Sequence, residues 1–474
     1  MKHWAAWTGI LAGLVLSRLC HVRVLWTDED YHLAGAIQVL KGSVLYRDFW
    51  FDKPPLTPLL HAAFGARPGI PLMLASACYL FVGCLLAYEV ARRIWGEREG
   101  LVAAALLAFY LIFYLPSALI PLAPDLAMLV PHLAAIVFLL MGLPVAAGAA
   151  AAVGFFFNVK GLLVLAVCLA WRPRWWVRLC AGFALVALGA LAALGIAGAL
   201  AGYWEQVWKW GLAYAGSPQV AHPWRLGLVR VANWLGFHAA IAVAAIVFLL
   251  RERSAVRREL VLWMAISLAG VCLGLRFAPR YFFQLLPVMA IAGARGAVLA
   301  FQARWRLAPV VAALLLMIPV ARFGPRYILL AADLATGRPH RWADVALDQD
   351  NQEVARLLKK RARPGDSLLV WGYSPGIYVY TRMRAGAPFM DSQPLTGVSA
   401  ERHFDVYQPI TPEWARANRV ELTRWAPTFV VDSIGPANPH LAMTQYPELA
   451  SWLDHYVPIE RTTMSVIYLR YQTK

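Results

Sequence analysis

The chain has 474 residues, of which 60% are hydrophobic and 15% charged, and its mean hydropathy is +0.55. This balance excludes an ordinary soluble domain and indicates an integral membrane protein in contact with a lipid bilayer. The formal net charge of +17 would suit a nucleic-acid partner. Much of that charge lies in short arginine-rich links between apolar segments, where lipid headgroups account for it, so we expect no nucleic-acid binding.

Apolar segments long enough to cross a hydrocarbon core of roughly 30 Å recur as far as about residue 330. They predict a mainly α-helical, polytopic bundle of about eleven spans, at 4–25, 70–91, 101–116, 122–142, 143–157, 159–171, 179–202, 231–250, 260–277, 280–300 and 307–330. The short pair that meets at Asn158 could instead be tilted or re-entrant, which would change the count. The first segment has no small-x-small cleavage site, so we expect a retained helix and not a signal peptide.

Four short links are dense in arginine: 92–99, 171–178, 251–259 and 302–307. They occur at every second turn, as the positive-inside rule expects of cytoplasmic loops. Residues 26–69, 203–230 and the chain from about 333 are then expected on the extracytoplasmic side. The composition, rich in Ala, Arg and Gly, fits a bacterial source. We expect a multi-pass protein of the bacterial inner (cytoplasmic) membrane, with the single membrane of an actinobacterium as the alternative.

After about residue 333 the pattern changes to that of a soluble α/β unit. The segment 351–362 predicts an amphipathic helix, 366–374 a strand, 421–435 a helix followed by a strand, and 446–471 the same order again. We therefore predict a transmembrane domain at 1–332 and an extracytoplasmic α/β domain at 333–474. All six cysteines lie in or beside apolar segments, so no disulfide framework is indicated.

The stretch "WTDEDYH" places Asp28, Glu29 and Asp30 directly after the first apolar helix. Thr27 is expected to cap a helix that holds these acids in its first turn and lies along the membrane surface, with Leu33, Ile37 and Leu40 on one face. Acids at this position are stabilised by the helix dipole, so a purely structural role is the alternative.

Several cations are predicted on the same outer side, against the topological bias: Lys53, Lys160, Arg276 and Arg280. Each could instead extend its charged end to the membrane interface. A carboxylate base facing cations suits transfer of a sugar from a phosphate-linked donor to a hydroxyl. The base takes the acceptor's proton, and the cations stabilise the leaving phosphate. One carboxylate is enough, and the expected outcome is inversion at the anomeric carbon.

No phosphate-binding Gly-rich motif is present in the sequence, and an exported site has no nucleotide pool. The donor is therefore expected to be a lipid-linked sugar. The aromatic residues of 203–230, among them Trp204, Trp208, Trp210 and Trp224, are typical of interface anchors, with contact to a lipid or sugar as the alternative.

The first apolar helix, followed by "DEDYH" and then "LYRDFWFDKPPLTPLL", resembles the first external loop of C-type (GT-C) integral membrane glycosyltransferases that use polyprenyl-phosphate sugars. Bacterial aminoarabinose transferases and protein O-mannosyltransferases of the family-39 type belong to this group. The segments 279–296 and 368–389 are similar to later parts of bacterial members. The resemblance covers most of the chain, and the first-loop motif is its most specific part.

The resemblance implies roles for single residues. Asp28 matches the catalytic base, and Glu29 matches the neighbour that orients the acceptor or the base. Lys53, in a "DKPP" context, matches a residue that contacts the lipid phosphate. Asp125, in "APDLAM", falls where the superfamily often has a second acid, although a helix-capping role after a proline is the alternative.

Further substrate-binding candidates are Lys160, Arg276, Arg280, Asp30 and His32. We expect His32, one helical turn from the base, to pair with it. His132 is expected to be a packed, hydrogen-bonded residue and not a ligand.

Some members of the superfamily use a divalent metal. Here Asp28, Asp30 and Asp125 show no ligand spacing, so metal dependence is left open. The expected partners are a polyprenyl-phosphate sugar and an envelope acceptor, which is lipid A, a glycan or a protein. The alternative classes are a transporter or lipid flippase, and a non-catalytic assembly factor.

Overall fold

The computed structural model describes residues 3–217, 222–303, 305, 307–338 and 342–471. Parts of the predicted segment 203–230, of the link 302–307 and of the C-terminal domain therefore lie outside the described residues. In chain order the first eleven helices are α1 (Trp4–Leu19), α2 (Glu29–Leu40), α3 (Leu56–Ala63), α4 (Ile70–Ile94), α5 (Glu97–Tyr110), α6 (Pro116–Leu119), α7 (Pro124–Ala127), α8 (Leu129–Leu140), α9 (Pro144–Phe157), α10 (Gly161–Trp171) and α11 (Trp176–Ile196).

The remaining helices are α12 (Leu200–Tyr203), α13 (Trp210–Gly216), α14 (Pro223–Phe237), α15 (Ala239–Arg251), α16 (Ala255–Cys272), α17 (Leu286–Gln302), α18 (Ala308–Thr336), α19 (Ala346–Arg361), α20 (Gly376–Thr381), α21 (Gln393–Thr396), α22 (Pro412–Leu422) and α23 (Ala450–Leu453). A π-helical turn, Trp204–Lys209, joins α12 to α13. The strands are β1 (Ser367–Trp371), β2 (Arg384–Ala385), β3 (Phe429–Asp432), β4 (Tyr456–Arg461) and β5 (Val466–Arg470).

In the described part of the chain, four helices are long and apolar enough to cross a membrane: Ile70–Ile94, Pro173–Ile196, Ala255–Leu275 and Ala308–Thr336. The pair α14 and α15, bent by 91°, would make a fifth span. Five further apolar helices have 10–17 residues. At 1.5 Å per residue, even the longest of these is only about 26 Å in length. The predicted count of about eleven spans is therefore not confirmed, although the chain is mainly helical as predicted.

The chain divides into two compact units. The first contains Met1–Arg23, Ile70–Ala190 and Gln219–His340, and the second contains Val24–Gly69, Leu191–Pro218 and Arg341–Lys474. The first external loop thus belongs to the same unit as the C-terminal region.

The first unit is a bundle of apolar helices with a continuous core. Tight packing of α15 against α17 depends on Gly296, because a Cβ there would lie 1.7 Å from the carbonyl oxygen of Ala244. His132 is buried in α8, and its Nε2 accepts a hydrogen bond of 2.9 Å from the indole N–H of Trp263. The predicted packed, hydrogen-bonded role of His132 is confirmed.

The second unit is built on a five-stranded sheet of order β2-β1-β3-β5-β4. The strands β2, β1 and β3 are parallel, whereas β5 and β4 are antiparallel to their neighbours. The predicted helix-to-strand pair α19–β1 is present. In the segment 421–435 the predicted strand is present as β3, but the helix is misplaced, because α22 already ends at Leu422. The chain leaves β1 through Gly372, whose φ of +137° suits glycine, and a Cβ there would lie 2.1 Å from the Ser433 hydroxyl.

The helix α2 differs from its prediction. Every residue from Glu29 to Gln38 is buried, and only Leu40 near its end is strongly exposed. It is therefore a core helix of the second unit and not a helix lying along a membrane surface. Its residues are small or apolar on most sides, which allows such enclosure and which a one-face hydrophobic pattern does not reveal.

Candidate active site

Asp28 lies immediately before α2, in a strained backbone conformation. Its φ is 78° and its ψ is −39°, a region that residues with a Cβ rarely adopt. The residue is half-buried, and within the described chain its side chain makes no capping hydrogen bond to the helix. The predicted cap at Thr27 is wrong, because the helix begins at Glu29 and the position before it is Asp28. Neither residue gives the ordinary capping geometry of the structural alternative.

Glu29 and Asp30 are both buried in the first turn of α2. The Asp30 carboxylate accepts a hydrogen bond of 2.8 Å from the Tyr31 N–H. Burial, together with the nearby charges of Asp348 and Glu29, raises the pKa of Asp30 well above its ordinary value. Of the three acids, Asp28 is the most accessible to a substrate.

The "DKPP" motif forms an ion pair in the second unit. The Lys53 ammonium lies 2.7 Å from the Asp52 carboxylate, whose side chain is 3% exposed, whereas that of Lys53 is 35% exposed. The Tyr46 hydroxyl donates to the Lys53 carbonyl over 2.8 Å, and the Asp52 N–H donates to the Tyr31 hydroxyl over 3.2 Å. Lys53 therefore has a fixed backbone and an ammonium group that solvent or a ligand can reach.

Three segments distant in sequence hold this loop in place. The Trp50 N–H donates to the Pro388 carbonyl over 2.6 Å. The Phe51 N–H donates to the Gln206 side chain over 2.9 Å, and the Gln206 amide donates back to the Tyr46 carbonyl over 2.9 Å. The Phe51 ring also stacks on Tyr31 of α2, with ring centroids 4.7 Å apart.

His32 lies beside the Phe51 ring. Its ring centroid is 5.5 Å from that of Phe51. Burial, with the charges of His61 and Lys53, lowers the pKa of His32 well below its ordinary value, so the imidazole is neutral at neutral pH.

Asp391 is a functional candidate that the sequence analysis missed. It is fully buried after β2, and its Oδ1 accepts a hydrogen bond of 2.8 Å from the Gln393 N–H. Burial, together with the charge of Asp52, raises the pKa of Asp391 to about 7. Its neighbour Ser392 donates its N–H to the carbonyl of Gly372, at the carboxyl end of β1. Ligand sites in parallel sheets favour this edge, and that is the signal that could have found Asp391.

In the first unit the structure brings together three of the predicted residues. The Lys160 ammonium lies 3.5 Å from the Asp125 carboxylate, and the Arg280 guanidinium lies 3.9 Å from it. The Asn158 amide donates to the same carboxylate over 3.1 Å. Lys160 also lies over the Tyr281 ring, 3.2 Å from its centroid. Lys160 and Asp125 are buried, so this is not a pair of exposed interface charges.

Arg276 is half-buried, in a turn with unusual backbone geometry in the first unit. Leu275 and Phe277, which flank it, have φ values of 53° and 51°. Such residues persist only where the surrounding structure enforces them. The turn therefore holds the Arg276 backbone in one orientation.

The aromatic segment after α12 divides into exposed and buried rings. Trp204 is 55% exposed, whereas Trp210 is 3% exposed and packs against Trp50 and Trp414. The Lys53 ammonium lies 5.8 Å from the Tyr214 ring centroid. Only part of this segment thus has the exposure of an interface anchor.

Among the described residues, no group of three or more His, Cys, Asp or Glu side chains could hold a metal ion.

Solved structures share this architecture. ArnT from Cupriavidus metallidurans bound to undecaprenyl phosphate matches with a TM-score of 0.57 at 16% identity, over 99% of this chain and 98% of that one. The apo oligosaccharyltransferase of Archaeoglobus fulgidus matches with a TM-score of 0.51 at 14% identity, over 100% of this chain and 75% of that one. The chain has a GT-C fold. No protein-family model matches the sequence, and no curated protein does.

A second archaeal structure extends the GT-C comparison. AglB from Archaeoglobus fulgidus, in complex with an inhibitory peptide and a dolichol-phosphate, has a TM-score of 0.50 at 14% identity, over 99% of this chain and 75% of that one. At these identities the likeness establishes the fold, and the residues of this chain must carry any argument about chemistry.

Proposed function

We propose that this GT-C chain is a membrane glycosyltransferase. It transfers a monosaccharide from a polyprenyl-phosphate donor to an extracytoplasmic acceptor, which is a lipid, a glycan or a protein, with inversion at the anomeric carbon. Two of the similar structures contain a polyprenyl-type phosphate, namely undecaprenyl phosphate and dolichol-phosphate. Those ligands support a lipid phosphate as the donor's anchor.

The backbone strain of Asp28 is the observation that carries the proposal. A positive φ in a residue with a Cβ costs of order 1–3 kcal/mol and is concentrated at functional sites. Here it occurs at the half-buried acid that the motif assigns as the base. In the proposed step, the Asp28 carboxylate accepts the proton of the acceptor hydroxyl as the new bond to the anomeric carbon forms.

The leaving group is the lipid phosphate, which departs with the electron pair of the broken anomeric C–O bond. Its growing charge needs cations, and we propose Lys53 of the second unit for that role. Lys160, Arg276 and Arg280 are proposed as substrate-binding residues of the first unit. Asp125 holds Lys160 and Arg280 in place through the contacts described above. Glu29 and Asp30 are proposed to hold the first turn of α2 in place. His32 is proposed to pack beside the loop that carries Lys53.

The proposal is tested by comparing Asp28→Asn with Asp48→Asn in purified protein. Asp48 is an exposed acid of the same loop that pairs with Arg47, so it is a matched control. Radiolabelled polyprenyl-phosphate sugars are incubated with membrane extract, and transfer is measured. We expect Asp28→Asn to lower kcat/KM by about 10²–10⁴-fold with donor binding retained, and Asp48→Asn to be near wild type. Full activity of Asp28→Asn would reject the assignment.

The same assay separates an enzyme from the transporter or flippase that the spanning segments also suit. A flippase moves the labelled lipid between leaflets of a vesicle and leaves the sugar attached to it. Release of the sugar from its phosphate, dependent on Asp28, is expected only of a transferase.

A further inference from the structure

Asp52 and Asp391, the two carboxylates that act on or pair with Lys53, each have one oxygen without a hydrogen-bond partner among the described residues. Asp52 has one oxygen on the Lys53 ammonium at 2.7 Å, and its Oδ1 is buried without a hydrogen-bond partner among the described residues. Asp391 has one oxygen on the Gln393 N–H, and its Oδ2 is likewise buried and unpartnered in the described chain. A buried unpartnered carboxylate oxygen is costly unless a proton or a cation compensates it.

Among the described groups, Lys53 is the cation that acts electrostatically on Asp391. The other groups that act electrostatically on, or hydrogen-bond to, Asp391 are Asp52, Tyr31 of α2, Tyr378 of α20 and the Gln393 side chain. The tyrosines are neutral at physiological pH, because burial raises the pKa of Tyr31 well above 10, as it does for Tyr378. Among these groups one cation faces two carboxylates, and a third anion at Lys53 would increase the excess negative charge.

We infer that Asp391 is a positioning residue of the phosphate site, which takes up a proton when an anionic lipid phosphate displaces Asp52 from Lys53. This inference rests on the proposed function, because it needs a lipid phosphate at Lys53. The proton on Asp391 offsets the negative charge that the phosphate adds. Because the Asp391 carboxyl is then neutral, the displaced Asp52 carboxylate can stay charged near the bound anion. Asp391 itself does not touch the reacting atoms.

The sign of the pH dependence follows from linkage. The pKa of Asp391 is already raised to about 7 in the unliganded protein, and a nearby anion raises it further. Binding therefore consumes a proton above about pH 7. Affinity is constant at low pH and weakens by up to about tenfold for each unit above pH 7.

The experiment measures binding of undecaprenyl methyl phosphate, a diester whose own charge is constant between pH 5 and 9. Isothermal titration calorimetry in two buffers of different ionisation enthalpy counts the protons taken up. For the wild-type protein we expect a dissociation constant that rises at least fivefold between pH 6 and 8.5, with close to half a proton or more taken up per ligand at pH 7.5.

Three variants complete the test. In Asp391→Asn the affinity should be independent of pH and no proton should be taken up, whereas Asp391→Glu should restore both effects. Asp405→Asn, at an exposed acid of the same unit, should keep the wild-type profile. Equal pH profiles for wild type and Asp391→Asn, or a wild type that takes up no proton, would overturn the inference.

The measurement also distinguishes failure of this inference from failure of the proposed function. If Lys53→Ala abolishes binding while the wild type shows no proton uptake, the phosphate site stands and the role of Asp391 is wrong. If the wild type does not bind the diester at any pH, or Lys53→Ala binds it equally well, both are wrong. The number of protons taken up on binding is measured on the wild-type protein alone. A folding defect in Asp391→Asn therefore does not prevent the test.

Discussion

At the scale of single residues, Asp28 combines a strained backbone with a half-buried carboxylate. An acid that served only to complement a helix dipole would have no need of a positive φ, since the usual position before a helix has an extended backbone. The strain is sustained by the buried turn that follows it, where Glu29 and Asp30 are enclosed. The backbone geometry therefore favours a functional role for Asp28.

Glycine at position 28 is expected to have opposite effects on stability and activity. Asp28→Gly removes the Cβ that makes a φ of 78° unfavourable, which is worth more than the roughly 0.5–1 kcal/mol of backbone entropy that glycine loses on folding. We expect the melting temperature of the detergent-solubilised protein to rise by about 2 °C and sugar transfer to be lost. Thermal unfolding and the transfer assay measure the two effects.

The matched control is Asp48→Gly. Asp48 has no positive φ and accepts a hydrogen bond of 2.7 Å from the Val44 N–H. Glycine there should lower the melting temperature and leave activity largely intact. A melting temperature of Asp28→Gly that falls as much as that of Asp48→Gly would contradict the strain argument.

The sequence predicted some residues of these clusters and missed others for a physical reason. Lys160, Arg280 and Asp125 were proposed from their expected side of the membrane and from a motif, and the structure brings them together. Asp391 has no motif and no periodic position. Its burial beside Asp52 arises only when the chain after β2 meets the loop before α3, and no local pattern encodes that contact.

At the scale of elements, the loop that carries Lys53 is held by the π-helical turn between α12 and α13. π-helical turns are rare and frequently occur at functional sites. Here Gln206 uses both ends of its amide, accepting from the Phe51 N–H and donating to the Tyr46 carbonyl. The turn thus holds the backbone at Tyr46, whose hydroxyl donates to the Lys53 carbonyl, and at Phe51, two residues before Lys53.

We predict that Gln206→Ala destabilises the protein and weakens donor binding. It removes two hydrogen bonds and leaves a backbone N–H and a carbonyl without their partner, which costs about 1–3 kcal/mol. Because the affected loop carries Lys53 and not Asp28, KM for the lipid donor should rise several-fold with kcat changed much less. Steady-state kinetics with varied donor concentration test this split.

Lys209→Ala serves as the control in the same turn. Lys209 is exposed and pairs only with Glu205 four residues earlier, at 3.4 Å, among the contacts of the described residues. Such surface pairs contribute little. A large fall in kcat for Gln206→Ala, or an equal effect of Lys209→Ala, would show that the turn does not act through donor binding.

The strength of local patterns decided which elements could be predicted. The amphipathic run of α19 and the apolar run of β1 are regular, and both are present. The strand β2 has two residues, and β4 has a register shift between Pro458 and Glu460. The strand β2 is too short to give a signal, because a strand needs several alternating residues to be recognised. In β4 the irregularity at Pro458 interrupts the regular alternation.

At the scale of the whole molecule, compact units do not follow the order of the chain. The sequence predicted a boundary at residue 332, from the last apolar segment. The structure groups 24–69 and 191–218 with the C-terminal region. Composition locates apolar spans, whereas membership of a unit depends on long-range contacts such as that of the Trp50 N–H with Pro388, which composition does not report.

This grouping sharpens the prediction of sidedness. If 24–69 and the C-terminal region form one unit, we expect them on the same side of the membrane, and the arginine-rich links predict that this side is outside the cytoplasm. We expect Lys360→Cys, at an exposed position of the second unit, to react with a membrane-impermeant maleimide in intact cells whose outer barrier is permeabilised. Ser254→Cys, exposed within an arginine-rich link, should react only after the membrane is disrupted.

The six native cysteines all belong to the first unit and are free, so labelling is scored as the increase over the parent protein. The two variants share one parent, and each reports on its own side. If Ser254→Cys were labelled in intact cells and Lys360→Cys were not, the orientation of the chain in the membrane would be the opposite of the predicted one. It would then place Asp28 and Lys53 in the cytoplasm, where soluble nucleotide sugars are available and a lipid-linked donor has no advantage.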